Sequence, residues 1–551
     1  MNISKESNQT KPVGWPQFKG KCYFRESEGD SQKDYQIHAY QYATTSEPAE
    51  ATMPYAIIYV EDDEDIMMAI RYCNENKLSL AVRSGGHQYR GYSSTSGPNL
   101  QLDLSGLESS NKQNYPYRKW SYDATTNRAT MGAGLMISEI AEESAKCGVF
   151  FPHGECSHVH AGGHCQTGGY GLVTRPLGLL VDYVYAYDII MADCTKKTVR
   201  RDSQDPDEQD LFFSLAGGSP GNLGVVTSVT INCLKDTDFP NARGFKLLYL
   251  YDKERLQKLL EICAEQSDNP IDDDFCYSVM VLGGELAFSI FGNTDTEMLR
   301  HQELDDDGIE IRPASIGVFG FWANLEGKGQ PYNSSIFKRI KEAAGTPIPF
   351  MGFDTTEEDA EPMPCSKMML EWGWEGQREF NLPFLKRLWM TKSTSLVQNG
   401  FAEWATEQID KIQAPLFNGC KIAAQFMPLS GKTTKFQIGN KDRQTSAAWR
   451  DSTSFSALDV FYKPKGREEA AIWCEENQMQ GVGANGIFSE EDRRLIWAPF
   501  GEHNLDLVYQ YYYDNEEDYQ RILRVKKKVD PNFIFTPNLF GVGASLKYRK
   551  L

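Results

Sequence analysis

No run of 18 apolar residues occurs anywhere in this 551-residue chain, so the sequence offers no candidate for a membrane-spanning helix. The first ten residues, Met1 to Thr10, are polar and lack the apolar core of a secretory leader; the compartment expected from that is the cytoplasm. Positive charge is scarce. Lys and Arg number 57 against 76 Asp and Glu, and the net charge of −19 sets up a field that repels nucleic-acid phosphates and anionic lipid heads. The 12 cysteines, Cys22, Cys73, Cys263 and Cys474 among them, lack the short regular spacing of a disulfide framework and read mostly as buried thiols. No fixed-period repeat and no low-complexity tract is present.

What remains is the composition of a globular protein, 40% hydrophobic and somewhat rich in aromatics, with length enough for two domains and a large bound cofactor. Tyr55 to Val60 reads as a strand. The acids Glu61 to Asp65 suit a helix N-terminus, and Ile66, Ala69, Ile70 and Cys73 recur at helical spacing before a second apolar run, Leu78 to Val82. This strand-helix-strand unit ends in Arg83-Ser84-Gly85-Gly86-His87, where glycines let backbone approach a ligand closely. A strand over 100–104 and an amphipathic helix over 137–147 follow. Strands are further expected over 183–191 and 224–231, with a tight loop at 217–222 between them. Near the C-terminus, Val508 to Tyr513 reads as an aromatic strand leading into a helix that ends in Lys526, Lys527 and Lys528.

Histidine is sparse, eight in all, yet His153, His158, His160 and His164 fall within twelve residues around Cys156. Cys and His are zinc's preferred ligands. Here, however, they are interleaved with Gly162-Gly163 and Gly168-Gly169, and Gly154 to Gly171 holds six glycines in eighteen residues, a texture suited to a large flat ligand. No metal is assigned. A second glycine pattern, Gly481-Val482-Gly483-Ala484-Asn485-Gly486, follows a helical stretch rather than a strand and so lacks the context of a dinucleotide fingerprint.

Taken together, Arg83 to His87 and Gly154 to His164 resemble the paired signatures of the berberine-bridge-enzyme-like group of the vanillyl-alcohol-oxidase superfamily, with PCMH-type FAD binding. The resemblance continues through Arg175 to Asp182, Leu211 to Thr227 and Val525 to Phe535. It implies FAD bonded to the protein at two points, His87 on the flavin 8α-methyl group and Cys156 on C6. It further implies a cofactor site of Arg83, Ser84, Gly85, Gly86, Val159, Gly162, Gly163, His164, Gly168, Gly169, Gly221, Asn222 and Val226. Val159 stands where the family places the residue that gates oxygen access. The implied fold is α+β in two domains, a PCMH/VAO-type FAD-binding domain with an inserted substrate domain built on an antiparallel sheet covered by helices. The corresponding division is 1–50 N-terminal extension, 51–235 FAD-binding domain, 236–490 substrate domain, and 491–551 C-terminal segment completing the FAD domain.

The chain departs from this pattern where carbohydrate-oxidising members carry a tyrosine that helps deprotonate the substrate: Trp497-Ala498-Pro499-Phe500-Gly501-Glu502 places a phenylalanine there. Phe500 has no proton to exchange. Candidates for the vacant role are Glu502, Tyr509, Tyr511, Gln425 and Tyr462, each also readable as sheet packing. The expected function is an FAD-dependent oxidase that moves a hydride from a hydroxylated or amine-bearing secondary metabolite to covalent flavin, which O2 reoxidises with release of H2O2. An oligosaccharide or hexose oxidase forming a lactone, and a non-catalytic flavin- or zinc-binding protein, stay open. The expected partners are a small-molecule substrate and O2, in a monomer or homodimer that binds neither nucleic acid nor membrane.

Overall fold

The computed structural model describes residues 12, 14–39, 41, 49–270, 272–283, 314–327, 329–348, 361–372, 382–413, 419–482, 485–489, 494–496 and 504–548. Two sheets make up the first part of the chain. In the first, β1 (Cys22–Phe24), β2 (Ala56–Tyr59), β3 (Leu80–Arg83) and β4 (Leu100–Asp103) take the order β1-β2-β4-β3, with β4 parallel to both β2 and β3. The helix Asp63–Asn76 makes the crossover between β2 and β3. Asp62 caps it by accepting the N–H groups of Glu64 and Asp65, and Lys77 ends it in the left-handed conformation. Its apolar face, Ile66, Ala69, Ile70 and Cys73, is fully buried against the sheet.

The second sheet is antiparallel. It contains β5 (Trp120–Asp123), β6 (Arg128–Gly132), β8 (Val184–Ile190), β9 (Lys196–Arg200) and β10 (Val225–Asn232), in the order β5-β6-β10-β8-β9. The strand β7 (Val149–Phe150) pairs separately with β11 (Leu234–Lys235). The helix Ile137–Cys147 spans the range its periodicity predicts and closes on Gly148 at φ 64°.

A six-stranded antiparallel sheet follows: β12 (Arg243–Leu250), β13 (Phe275–Leu282), β14 (Ser315–Trp322), β15 (Phe384–Thr391), β16 (Cys420–Pro428) and β17 (Ser454–Tyr462), in the order β12-β14-β13-β16-β17-β15. Because side chains alternate along a strand, the two faces of this sheet serve different neighbours. Val279, Val281, Leu458, Val460 and Tyr462 pack beneath the helices Lys253–Asp268, Phe401–Gln413 and Arg467–Gly481. Met280, Leu282, Ala457 and Phe461 join a different core with Leu172, Val173, Leu177 and Leu179 of the first part. The expected α+β architecture, with helices over one face of an antiparallel sheet, is what forms.

Buried ion pairs and hydrogen bonds hold the two parts together. Arg450 grips Asp182 with both amino groups, at 2.6 and 2.9 Å, and Asp182 also accepts the Leu179 N–H. Arg175 donates to the carbonyls of Ser430 and Phe275, both at 2.6 Å. The end of the chain returns to the first part. On the helix Glu516–Val529, Lys526 is fully buried and donates to the Asn222 carbonyl at 2.5 Å and to Asp530 at 2.6 Å.

One expectation is corrected. Val508 to Tyr513 is not a strand: Leu505–Val508 is a helical turn capped by Asn504, and Tyr509–Tyr511 continues as a 3-10 turn. Tyr509 stacks on Tyr519 at 4.8 Å and Tyr513 packs on the same ring, so aromatic clustering outweighs β propensity. Lys526→Ala leaves Asp530 without its cation and removes a donor from Asn222; a loss of about 3–5 kcal/mol in urea unfolding is expected.

Candidate functional site

The cleft lies between the first part and the inner face of the six-stranded sheet, with an interior of about 310 Å³. One wall is the turn after β3. Ser84, Gly85, Gly86 and His87 line it, with Gly86 at φ 67°. Arg83 does not. It is buried behind the turn, donating to Asp103 at 2.5 Å, to Tyr59 Oη at 3.2 Å and to the His38 carbonyl at 2.9 Å, and so braces the turn from below.

Cys156, Val159, Gly162, Gly163 and His164 form the adjoining wall. Close packing explains the glycines here. A Cβ on Gly85 would lie 2.9 Å from the His160 ring, and one on Gly162 would lie 3.0 Å from the Ala133 carbonyl oxygen. A Cβ on Gly163 would have no protein atom within 4 Å and would project into the open cleft. Gly168 and Gly169 do not line the cleft. Both take positive φ, and Cβ atoms there would strike Trp449 and Leu180, so these glycines let the segment fold under its own neighbours.

The third side comes from Ser219, Pro220, Gly221, Asn222 and Val226. Asn222 is pinned from several directions: its side chain accepts the Val542 N–H at 2.8 Å and donates to the Pro220 carbonyl at 3.2 Å, while its carbonyl accepts Lys526.

The histidines around Cys156 are held by their own segment. His164 Nε2 accepts the Gly154 N–H at 2.9 Å and His153 Nδ1 bonds the Gly154 carbonyl at 2.8 Å. Burial pushes His153 down to about 4 and both His160 and His164 down to about 3, so these imidazoles are neutral at physiological pH. Among the described residues, no group of three or more His, Cys, Asp or Glu is arranged to hold a metal ion.

The roof is the inner face of β13, β15, β16 and β17. Gln425 lines it; its amide donates to Ser278 at 3.2 Å and its oxygen accepts Tyr170 Oη at 3.4 Å. Tyr462 points the other way, into the core beneath the helices, because strand alternation gives the inner face to Asp459 and Phe461 instead. Tyr509 is stacked on Tyr519 and Tyr511 lies under Arg494, and neither lines the cleft. Glu502 lies outside the described residues, with Trp497, Pro499 and Phe500; Ile496, just before them, does line the cleft.

Sequence reasoning missed several lining residues. Lys386 and Asp459 sit directly opposite on β15 and β17 as a mostly buried pair at 2.6 Å, and Lys386 lies 4.6 Å from the centre of the Tyr89 ring. Tyr89, Tyr170 and Glu155 also line the cleft. Lys386 and Asp459 are far apart in sequence, so only strand register reveals them; Glu155 and Tyr170 flank motif residues and could have been weighed.

A long cleft walled by glycine-rich turns, with His87 and Cys156 both on it, fits a large flat cofactor of the flavin type. Residues 54–200 match the family described as FAD binding domain. The FAD-linked oxidoreductase ZEB1 of Gibberella zeae is 34% identical over 176 residues, covering 32% of this chain and 29% of that protein. Berberine bridge enzyme-like 4 of Arabidopsis thaliana is 32% identical over 180 residues, covering 32% of this chain and 31% of that protein. The chain thus aligns with less than a third of the length of these curated relatives. Among solved structures, 6-hydroxy-D-nicotine oxidase from Arthrobacter nicotinovorans superposes with a TM-score of 0.66 at 18% identity over 97% of this chain and 99% of that one. Berberine bridge enzyme from Eschscholzia californica gives 0.64 at 18% identity over 94% and 95%. Residues 54–200 therefore form an FAD-binding domain, that region is similar to berberine-bridge-enzyme-like proteins, and the described residues share the fold of berberine bridge enzyme. No helix among the described residues is long and apolar enough to cross a membrane.

Gly163→Leu tests the cradle. Unfolding of the ligand-free chain is expected to change by no more than about 1 kcal/mol, whereas the FAD retained per purified chain falls sharply. Unchanged FAD retention places Gly163 away from the cofactor.

Proposed function

We infer that this protein is an FAD-dependent oxidase whose flavin is bonded to His87 and Cys156. The observation that carries the reading is that these two residues, from separate glycine-rich turns, line one cleft roofed by a sheet that belongs to neither turn. The FAD-linked oxidoreductase ZEB1 among its sequence relatives supports the same reaction class.

Bound FAD supplies a two-electron acceptor for a substrate hydride and a route for those electrons to O2. The chain's own residues do the rest. Two attachment points fix the ring against rotation, and Val159 lines the wall beside Cys156 where oxygen access is set. The sites also assigned to the cofactor are Arg83, which braces the turn from behind, and Ser84, Gly85, Gly86, Gly162, Gly163, His164, Gly221, Asn222 and Val226 along the walls; Gly168 and Gly169 shape the segment. Met280, Leu282, Ala457 and Phe461 give the roof an apolar character, while the Lys386–Asp459 pair and Gln425 offer polar anchors. The substrate this combination fits best is a mostly apolar metabolite with a hydroxyl or amine at the reacting carbon. The polar anchors favour a second reading, oxidation of a sugar.

Acid-precipitated holoprotein should stay yellow and carry the added mass of one FAD. His87→Ala and Cys156→Ala should each keep covalent flavin, and the double variant should lose it. A colourless pellet from the unaltered protein overturns the attachment. Flavin bleaching under anaerobic addition of benzyl alcohol, tryptamine, glucose or cellobiose separates the substrate classes.

A further inference from the structure

Phe500 leaves the expected deprotonating position without an exchangeable proton, so the side chains lining the cleft can be taken in turn as acceptors. His164 already uses Nε2 to accept the Gly154 N–H. His160 is held neutral with so low a proton affinity, about 3, that it is a poor base near pH 7. Asp459 is engaged by Lys386 at 2.6 Å, and Gln425 cannot accept a proton. Burial raises Tyr170 well above 10, which keeps its phenol protonated and no base near pH 7; it donates to Gln425.

Glu155 remains. It lies on the cleft wall immediately before Cys156, on a backbone fixed by the Gly154–His164 hydrogen bond. The nearby backbone N–H groups of Glu155 itself and of Leu172 favour its charged form, yet Oε1 is buried with no hydrogen-bond partner. Tyr170 is close enough to feel its charge. A buried carboxylate oxygen without a donor is costly, and a substrate hydroxyl or protonated amine entering the cleft is a donor that relieves this.

Resting on the oxidase reading above, we propose that Glu155 is the catalytic base: it takes the O–H or N–H proton of the substrate. The C–H bond breaks with its electron pair leaving as hydride to the bound flavin, which is reduced. The O–H or N–H bond breaks with its proton going to the Glu155 carboxylate, and the C=O or C=N bond forms. Burial lifts the Glu155 carboxyl to about 7, where a base both holds and releases a proton readily.

The test compares the holoprotein with Glu155→Gln and Glu155→Asp, first confirming that each retains flavin. A carboxyl raised from 4.5 to about 7 by folding keeps a proton that the unfolded chain releases, so its contribution to stability falls as pH climbs from about 4.5 to 7 and is level above that. The Tm of wild type minus that of Glu155→Gln should therefore decline by several degrees across that window. A difference that is flat with pH overturns the proposal whether or not turnover is found. With whichever of the four probes bleaches the flavin, the anaerobic rate should rise with pH in the wild type, half-maximal near 7 and level about one unit higher. Glu155→Gln should lose that limb and about 10²–10⁴-fold in rate, with Glu155→Asp intermediate. A Glu155→Gln rate within threefold of wild type, with the limb intact, overturns it. A chain that holds no flavin, or whose flavin none of the probes bleaches, counts against the oxidase reading instead, and the Tm comparison still decides the ionisation of Glu155.

Discussion

Lys526 is the point on which the arrangement of the cleft depends. An ammonium group with no exposure to water is costly, and it is retained because three needs are met at once: Asp530 neutralises it, the Asn222 carbonyl accepts from it, and Asp530 in turn accepts the N–H groups of Ile534 and Phe535. Burial still pulls Lys526 down to about 8. The pair connects the helix Glu516–Val529 to the loop at 219–222, one wall of the cleft, while Asn222 is held from its other end by Val542. A wall made of glycine and short polar residues has little side-chain packing of its own, so its shape is set by these buried polar ties.

The same logic recurs on the other walls. The turn at 84–87 rests on the buried Arg83–Asp103 pair, and the seam to the roof is held by Arg450–Asp182 and by Arg175 on three carbonyls. Apolar cores stabilise each layer, but directional bonds between buried charges and backbone set how the layers meet, since apolar contact alone tolerates sliding.

A good part of this was legible in the sequence. The crossover helix after β2 announced itself by acids at its N-terminus and apolar residues at helical spacing, and the turns around His87 and Cys156 by glycine. Local chemistry sufficed because a cap, a turn or a left-handed residue involves only neighbours in the chain. The aromatic stretch at 508–513 misled for a related reason: its β propensity is a local average, and stacking on Tyr519 outweighs it.

The roof was decided elsewhere. That Asp459 and Phe461 face the cleft while Tyr462 is turned into the core follows from strand alternation, where a shift of one residue exchanges the faces. That Lys386 meets Asp459 follows from register between β15 and β17. By itself the sequence determined the class of cofactor site, through residue types and spacings that hold wherever the segment lies. Which side chains face that site from across the cleft was settled only when distant strands paired, because hydrogen-bond register between them is a long-range property that no local pattern encodes.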